Sequence, residues 1–76
     1  MKELLEVVIK NLVDAPDEVS IVEETNAKSI SYKVKVARND MGKVIGKQGK
    51  MARAIRSVMK AVATKEHTKV TIEFLD

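Results

Sequence analysis

The chain has 76 residues, no cysteine and a formal net charge of +3. This length allows one domain with a thin margin of stability, and the lack of cysteine excludes disulfides and thiolate metal sites. No apolar run reaches the roughly 18 residues of a membrane span, and the first six residues carry acids rather than a basic leader, so we expect a soluble protein with an intact N-terminus and no membrane partner. The lack of cysteine also fits a reducing cytoplasm.

The first predicted element is an amphipathic helix over residues 2–13. Leu5, Ile9 and Leu12 recur at helical spacing, and charged residues fall largely between them. Pro16 then excludes a continuation of the helix, because it lacks a backbone N–H and restricts the residue before it.

Two strands in a hairpin are predicted next. Residues 18–25 alternate weakly between apolar and polar side chains, and residues 29–37 alternate cleanly. The turn-prone residues 26–28 connect them. In the second strand one set of side chains is expected to face the core (Ile30, Tyr32, Val34 and Val36).

Two helices separated by a glycine-containing loop follow, and then a last strand. A short helix is predicted over 41–45, with Asn39 and Asp40 as N-cap candidates, and a longer one over 50–64. The loop covers 46–49 and the strand 69–75. The apolar stripe expected to bury the longer helix consists of Met51, Ile55, Val58, Met59 and Val62. The order α-β-β-α-α-β predicts an α+β two-layer sandwich, with three strands covered by three helices.

The positive charge is concentrated in one part of the chain. Residues 38–65 contain eight Lys or Arg and one Asp, a net charge of +7, whereas residues 1–37 and 66–76 each have a net charge of −2. This asymmetry favours an anionic partner, although a solvated helix face has a similar composition.

The loop at residues 46–49 has the chemistry that a phosphodiester requires. Gly46 and Gly49 lack a Cβ, so a ligand backbone can approach closely, and a helix N-terminus follows. Lys47 and Lys50 add positive charge, and Arg53 lies one turn further along. Two apolar residues before the loop are expected to form a floor for bases (Val44 and Ile45). A helix–helix turn is the structural alternative.

Other phosphate-binding loops are excluded by single residues. A P-loop aligned on Gly49 and Lys50 needs glycine at position 44 and a hydroxyl residue at position 51, where this chain has Val44 and Met51. The dinucleotide fingerprint also lacks its first glycine. The sequence shows no nucleophile–base pair, metal cluster or cofactor loop, so we expect neither an enzyme nor a cofactor. His67, the only histidine, is expected to be an exposed loop residue.

The string from Met41 to Lys50, with a helix on each side, resembles the KH domain, whose G-x-x-G loop clamps a single strand of RNA. The element order is similar to the type II arrangement, and nearly the whole chain resembles the KhpA (YlqC-like) group of bacterial KH proteins. The resemblance implies a mixed sheet with one parallel pair of strands. It identifies the motif itself at residues 44–49. The candidate RNA-contacting residues are therefore Lys43, Val44, Ile45, Gly46, Lys47, Gln48, Gly49, Lys50 and Arg53.

The resemblance also implies partners and a cellular role. Members of the group are cytoplasmic RNA-binding proteins regarded as RNA chaperones or post-transcriptional regulators. They self-associate or pair with KhpB, a larger KH protein of the Jag type, and are linked to cell elongation and cell-wall homeostasis. Two hypotheses remain open: a binder of single-stranded RNA, or a protein–protein dimerisation module with weak or jointly contributed RNA binding.

Overall fold

The computed structural model describes residues 1–75, and its helices and strands follow the predicted order. The helices are α1 (Lys2–Leu12), α2 (Met41–Ile45) and α3 (Lys50–Lys65), and the strands are β1 (Ser20–Thr25), β2 (Ser29–Lys35) and β3 (Lys69–Leu75). Single 3₁₀ turns occupy Pro16–Glu18, Arg38–Asp40 and Lys47–Gly49. The predicted α+β class is confirmed.

Both hairpin strands are shorter than predicted, because turns occupy their outer ends. The first strand begins at Ser20 rather than 18, since the N–H of Glu18 donates to the carbonyl of Ala15 at 3.0 Å and closes a turn. The second ends at Lys35 rather than 37, since the N–H of Asp40 donates to Ala37 at 2.8 Å.

The sheet is mixed, with the order β1-β2-β3. β1 and β2 pair antiparallel through a tight connection, in which the N–H of Asn26 donates to Ser29 at 2.8 Å. β2 and β3 pair parallel, from Ser29 beside Lys69 to Lys35 beside Leu75. A parallel pair needs a long crossover, which α2 and α3 supply. The glycine loop therefore lies within the crossover.

The helices cover one face of this sheet. Tyr32 and Val34 of β2 are fully buried, whereas Lys35 on the opposite face is exposed. Leu5 and Ile9 of α1 are also fully buried, so the spacing that predicted α1 also identified its buried face. The core cluster consists of Leu5, Ile9, Val13, Tyr32, Val34, Val36, Val44, Ile55, Met59 and Ile72.

The predicted buried stripe of α3 was partly wrong. Met51 and Val58 remain 36% and 51% exposed, while Ala52 and Ala63 are buried instead. The buried set steps through positions 52, 55, 59 and 63. Met51 and Val58 lie beside that line, about 100° around the helix, and face its flank. Side-chain size suggested burial, but the direction of the helix toward the sheet selected the small residues.

His67 is exposed, as expected, and it ends α3. It has a positive φ of 55°, and the N–H of Thr68 donates back to Ala63 at 2.9 Å. This is the position that glycine usually occupies at a helix C-terminus.

Candidate nucleic-acid interface

The glycine loop between α2 and α3 depends on three residues with left-handed backbone angles. Gly46 and Gly49 each have φ of 75°, and Gln48 between them has φ of 56°. A Cβ on Gly46 would lie 2.7 Å from the Cβ of Met51 and 2.8 Å from its backbone nitrogen. Gly46 is therefore required both by its angle and by the close approach of α3.

The loop offers fewer free amides than its glycines suggested. The N–H of Gly46 donates to Gly42 at 2.9 Å, and the N–H of Gly49 donates to Gly46 at 3.2 Å. The loop amides that remain as candidates for a ligand are those of Lys47 and Gln48. Both residues are exposed, so the tip of the loop is more open to solvent than its two glycines.

The two residues directly before the loop, Val44 and Ile45, differ in how deeply they are buried. Val44 is fully buried in the core, so it holds α2 against the sheet and presents no surface to a base. Ile45 is partly buried and packs against the same core cluster. The predicted apolar floor is therefore reduced to Ile45.

Lys50 and Arg53 are exposed at the start of α3, but Arg53 is already engaged. Its Nη2 donates to the carbonyl of Gln48 at 2.7 Å, and its Nε makes a longer contact of 3.5 Å with the carbonyl of Gly49. The guanidinium therefore reaches back along its own helix to the loop.

Lys43 points toward the end of α1 and not toward the loop tip. Its ammonium forms an ion pair and hydrogen bond with the carboxylate of Asp14, and lies 4.0 Å from the carboxylate of Asp40. The hydrogen bond to Asp14 is the main reason that the pKa of Lys43 is raised. A phosphate would have to compete with Asp14 for this cation.

Asp40 is a buried residue whose role the sequence prediction assigned incorrectly. We expected it to cap α2, but its side chain makes no capping hydrogen bond. Its two carboxylate oxygens instead accept the backbone N–H groups of Asp14 at 3.1 Å and Ala15 at 3.0 Å. These partners are 26 and 25 residues away, so no local pattern could reveal them.

A basic groove runs between α3 and the outer edge of β3, and it was not predicted. Its volume is about 280 Å³, and Arg56, Lys60, Val70, Thr71 and Ile72 line it. The Nε of Arg56 donates to the carbonyl of Ile72 at 3.2 Å, and its guanidinium lies 5.3 Å from the centre of the Phe74 ring. The sequence signal was the two further basic residues, Arg56 and Lys60, that follow Arg53 along α3.

A second, apolar groove lies between α1 and α3. It has a volume of about 160 Å³ and is lined by Val8, Met51, Ala54, Ile55, Val58 and Met59. The two large side chains that α3 leaves exposed, Met51 and Val58, both contribute to it.

Residues 1–75 contain no cluster of three or more His, Asp or Glu side chains that could hold a metal. The acidic pair Glu23 and Glu24 is exposed, and the carboxylate of Glu24 lies 3.2 Å from the ammonium of Lys33. None of the helices described is long and apolar enough to span a bilayer.

Comparisons with known proteins agree with this architecture. Residues 2–74 match the family described as KhpA/KhpB, KH domain. The chain is 56% identical over 75 residues to the RNA-binding protein KhpA of Clostridium acetobutylicum, an alignment that covers 99% of this chain and 100% of that protein. The corresponding protein of Clostridium perfringens is 52% identical with the same coverage. That of Listeria monocytogenes is 43% identical over all of both chains.

Proposed function

The chain belongs to the KhpA/KhpB KH-domain family, and from that premise we propose that it binds single-stranded RNA through residues 46–50. The family is one of binding proteins and not of enzymes. One structural observation carries the proposal. The exposed loop tip, Lys47 and Gln48, projects between two helices and is followed directly by the exposed Lys50.

In the proposed complex the loop tip contacts the phosphates. The amides of Lys47 and Gln48 donate to phosphate oxygens, and the ammonium groups of Lys47 and Lys50 supply charge. Two further cations, Arg56 and Lys60, line the basic groove farther along α3 and lie outside this loop contact. With one Tyr and one Phe in the chain, base stacking on the sheet is a poor alternative.

The test is the double substitution Lys47→Asp/Gln48→Asp, with binding to a single-stranded RNA oligonucleotide measured by fluorescence anisotropy. The matched control is Lys10→Asp/Asn11→Asp, which makes the same change of charge at two exposed residues of α1. We expect the loop variant to lose binding and the control to retain most of it. Equal losses would show that net charge, and not the loop, determines binding.

We also propose the finer roles that the family resemblance implies. These are RNA chaperone or post-transcriptional regulator activity in the cytoplasm, together with a KhpB/Jag-type KH protein, in cell elongation and cell-wall homeostasis. The support is the family itself, whose description covers both KhpA and KhpB. RNA crosslinking in cells, comparing the intact chain with the loop variant and recovering protein partners from the same sample, tests these roles together.

A second candidate function, a protein–protein dimerisation module, is favoured by the apolar groove between α1 and α3. Exposed apolar side chains of this kind commonly mark protein contacts, and a second copy or a KhpB/Jag-type chain would bury them. Val58→Asp is expected to weaken such an association without changing the loop. Ser57→Asp, at the neighbouring exposed position, is the control. Analytical ultracentrifugation measures the self-association, and a pull-down measures the mixed complex.

A further inference from the structure

Arg53 makes its hydrogen bonds to the loop that precedes its own helix. It lies on the first turn of α3, four residues after Gly49, and its guanidinium turns back toward the loop. The edge formed by Nε and Nη2 faces the carbonyls of Gly49 and Gln48, at 3.5 Å and 2.7 Å. That edge is one that a guanidinium would present to a phosphate in a two-point contact.

Arg53 makes its shorter hydrogen bond to Gln48, a residue with a disfavoured backbone conformation. Gln48 has φ of 56°, a conformation that a side chain disfavours, and it is not a glycine. A hydrogen bond from a charged donor to its carbonyl stabilises this orientation of the peptide. The same contact holds the negative end of that peptide against the guanidinium.

We propose that Arg53 is a positioning residue, which locks Gln48 and Gly49 into the conformation that presents the loop tip. The sequence alone suggested a direct phosphate contact, and the geometry points to this different role. Its consequence for affinity rests on the proposed RNA binding, but its consequence for the free protein does not. A positioning contact and a phosphate contact also differ in their dependence on salt, because only a phosphate contact releases counterions from the RNA.

The first experiment is Arg53→Lys, which keeps the charge but removes the planar guanidinium. The control is Arg38→Lys, the same exchange at another exposed arginine. We expect Arg53→Lys to weaken binding of a single-stranded RNA about tenfold, the order of effect of one left-handed residue losing its support, with an unchanged slope of log K against log salt. The proposal would be overturned if Arg53→Lys bound RNA as tightly as Arg38→Lys and its loop amides exchanged at the wild-type rate.

The second experiment uses Arg53→Gln and Lys47→Gln, each of which removes one charge. Lys47→Gln is expected to reduce the steepness of the salt dependence by roughly 0.7, the contribution of one phosphate contact in a single strand. Arg53→Gln is expected to weaken binding without that reduction. A reduction of the same size in Arg53→Gln would identify a direct phosphate ligand and overturn the positioning role.

The third measurement needs no RNA. Backbone amide hydrogen exchange in the free protein should accelerate in Arg53→Lys at Gly49 and Lys50, whose N–H groups donate to Gly46 and Lys47, while the melting temperature stays close to that of Arg38→Lys. If the loop amides respond but no form of the protein binds RNA, the positioning role stands and the proposed function fails. If the protein binds RNA but neither the loop nor the affinity responds, the positioning role fails alone.

Discussion

The carboxylate of Asp40 accepts the backbone N–H of Ala15 at 3.0 Å, although the two residues are 25 positions apart. Asp40 directly precedes α2 and is 2% exposed, and its other oxygen accepts the N–H of Asp14. The carboxylate therefore ties the end of α1 to the helix that leads into the glycine loop. It takes the place of the strand or helix pairing that these two backbone N–H groups lack.

Replacing Asp40 with asparagine should destabilise the domain. The amide has one acceptor oxygen instead of two, so one of the two N–H groups loses its buried partner. We expect the melting temperature to fall by roughly 5 to 10 °C in a thermal unfolding experiment followed by circular dichroism. The control is Asp14→Asn, which removes only the exposed ion pair with Lys43 and should have little effect. Similar losses in the two variants would contradict this assignment.

The carboxylate of Asp40 should also make the stability of the domain depend on pH in the acidic range. The N–H of Asp14 is the largest cause that lowers the pKa of Asp40 from 3.8, with further contributions from Ala15 and Lys43. Because the pKa is lower in the folded state, the stabilisation is present above about pH 4 and is lost as the pH falls through the folded value. Urea unfolding between pH 5 and pH 2 should show a smaller loss of stability for Asp40→Asn than for the wild type.

Gly46→Ala is expected to be far more damaging than the same change at the other two glycines. The added Cβ would collide with Met51 of α3, and the φ of this residue is positive. We therefore expect the unfolding free energy to fall by about 2 to 4 kcal/mol and RNA binding to be lost. Gly49→Ala has open space but a φ of +75°, and should cost about 1 kcal/mol. Gly42→Ala lies in α2 with nothing within 4 Å, and should stabilise by up to about 1 kcal/mol. Chemical denaturation of the three variants provides the ranking, and any other order would show that the loop adapts.

Tyr32→Phe should be neutral or stabilising by about 1 kcal/mol at neutral pH. The Tyr32 ring is fully buried, and within residues 1–75 its hydroxyl has no hydrogen-bond partner of acceptable geometry, although the carboxylate of Glu23 is near. The phenylalanine variant removes a buried polar group that has no partner. Urea unfolding at pH 7 measures the difference, and a clear destabilisation would indicate a hydrogen bond to the hydroxyl.

Alkaline pH should increase the stability of Tyr32→Phe relative to the wild type. Burial, and then the nearby carboxylate of Glu23, raise the pKa of Tyr32 to about 12, compared with 10.0 for an exposed tyrosine. Between these values the unfolded chain releases the proton and the folded chain keeps it, so wild-type stability falls as the pH rises through this range. Tyr32→Phe lacks this contribution and should lose less stability between pH 9 and pH 11. Parallel losses in the two proteins would contradict the raised pKa.

The affinity for RNA should depend on salt with a shallow slope. A loop that contacts about three phosphates predicts a slope of roughly −2 in a plot of log K against log salt, taking about −0.7 for each phosphate of a single strand. Titrations at several salt concentrations measure it. A slope near zero would contradict electrostatic binding of the RNA backbone. A much steeper slope would show that cations in the basic groove along α3 also contact phosphates.

The candidate site was predictable only as far as its local pattern extends. The motif at residues 46–49, its position between two helices and its exposed lysine all follow from short-range spacing. Arg53 was recognised as a cation near the loop, but its contact with Gln48 depends on the path of the side chain back along α3. Asp40 was recognised as a polar residue before a helix, but its partners lie at the end of α1.

By itself the sequence determined the order of helices and strands, the buried faces of α1 and β2, and the location of the loop. These properties follow from periodicity and from the backbone preferences of glycine and proline, which act over a few residues. Only the tertiary structure decided which flank of α3 is exposed, that Val44 is buried, and which backbone groups Asp40 and Arg53 contact. Each of these depends on the direction in which a helix meets the sheet or on a contact between distant segments, and local spacing carries no information about either.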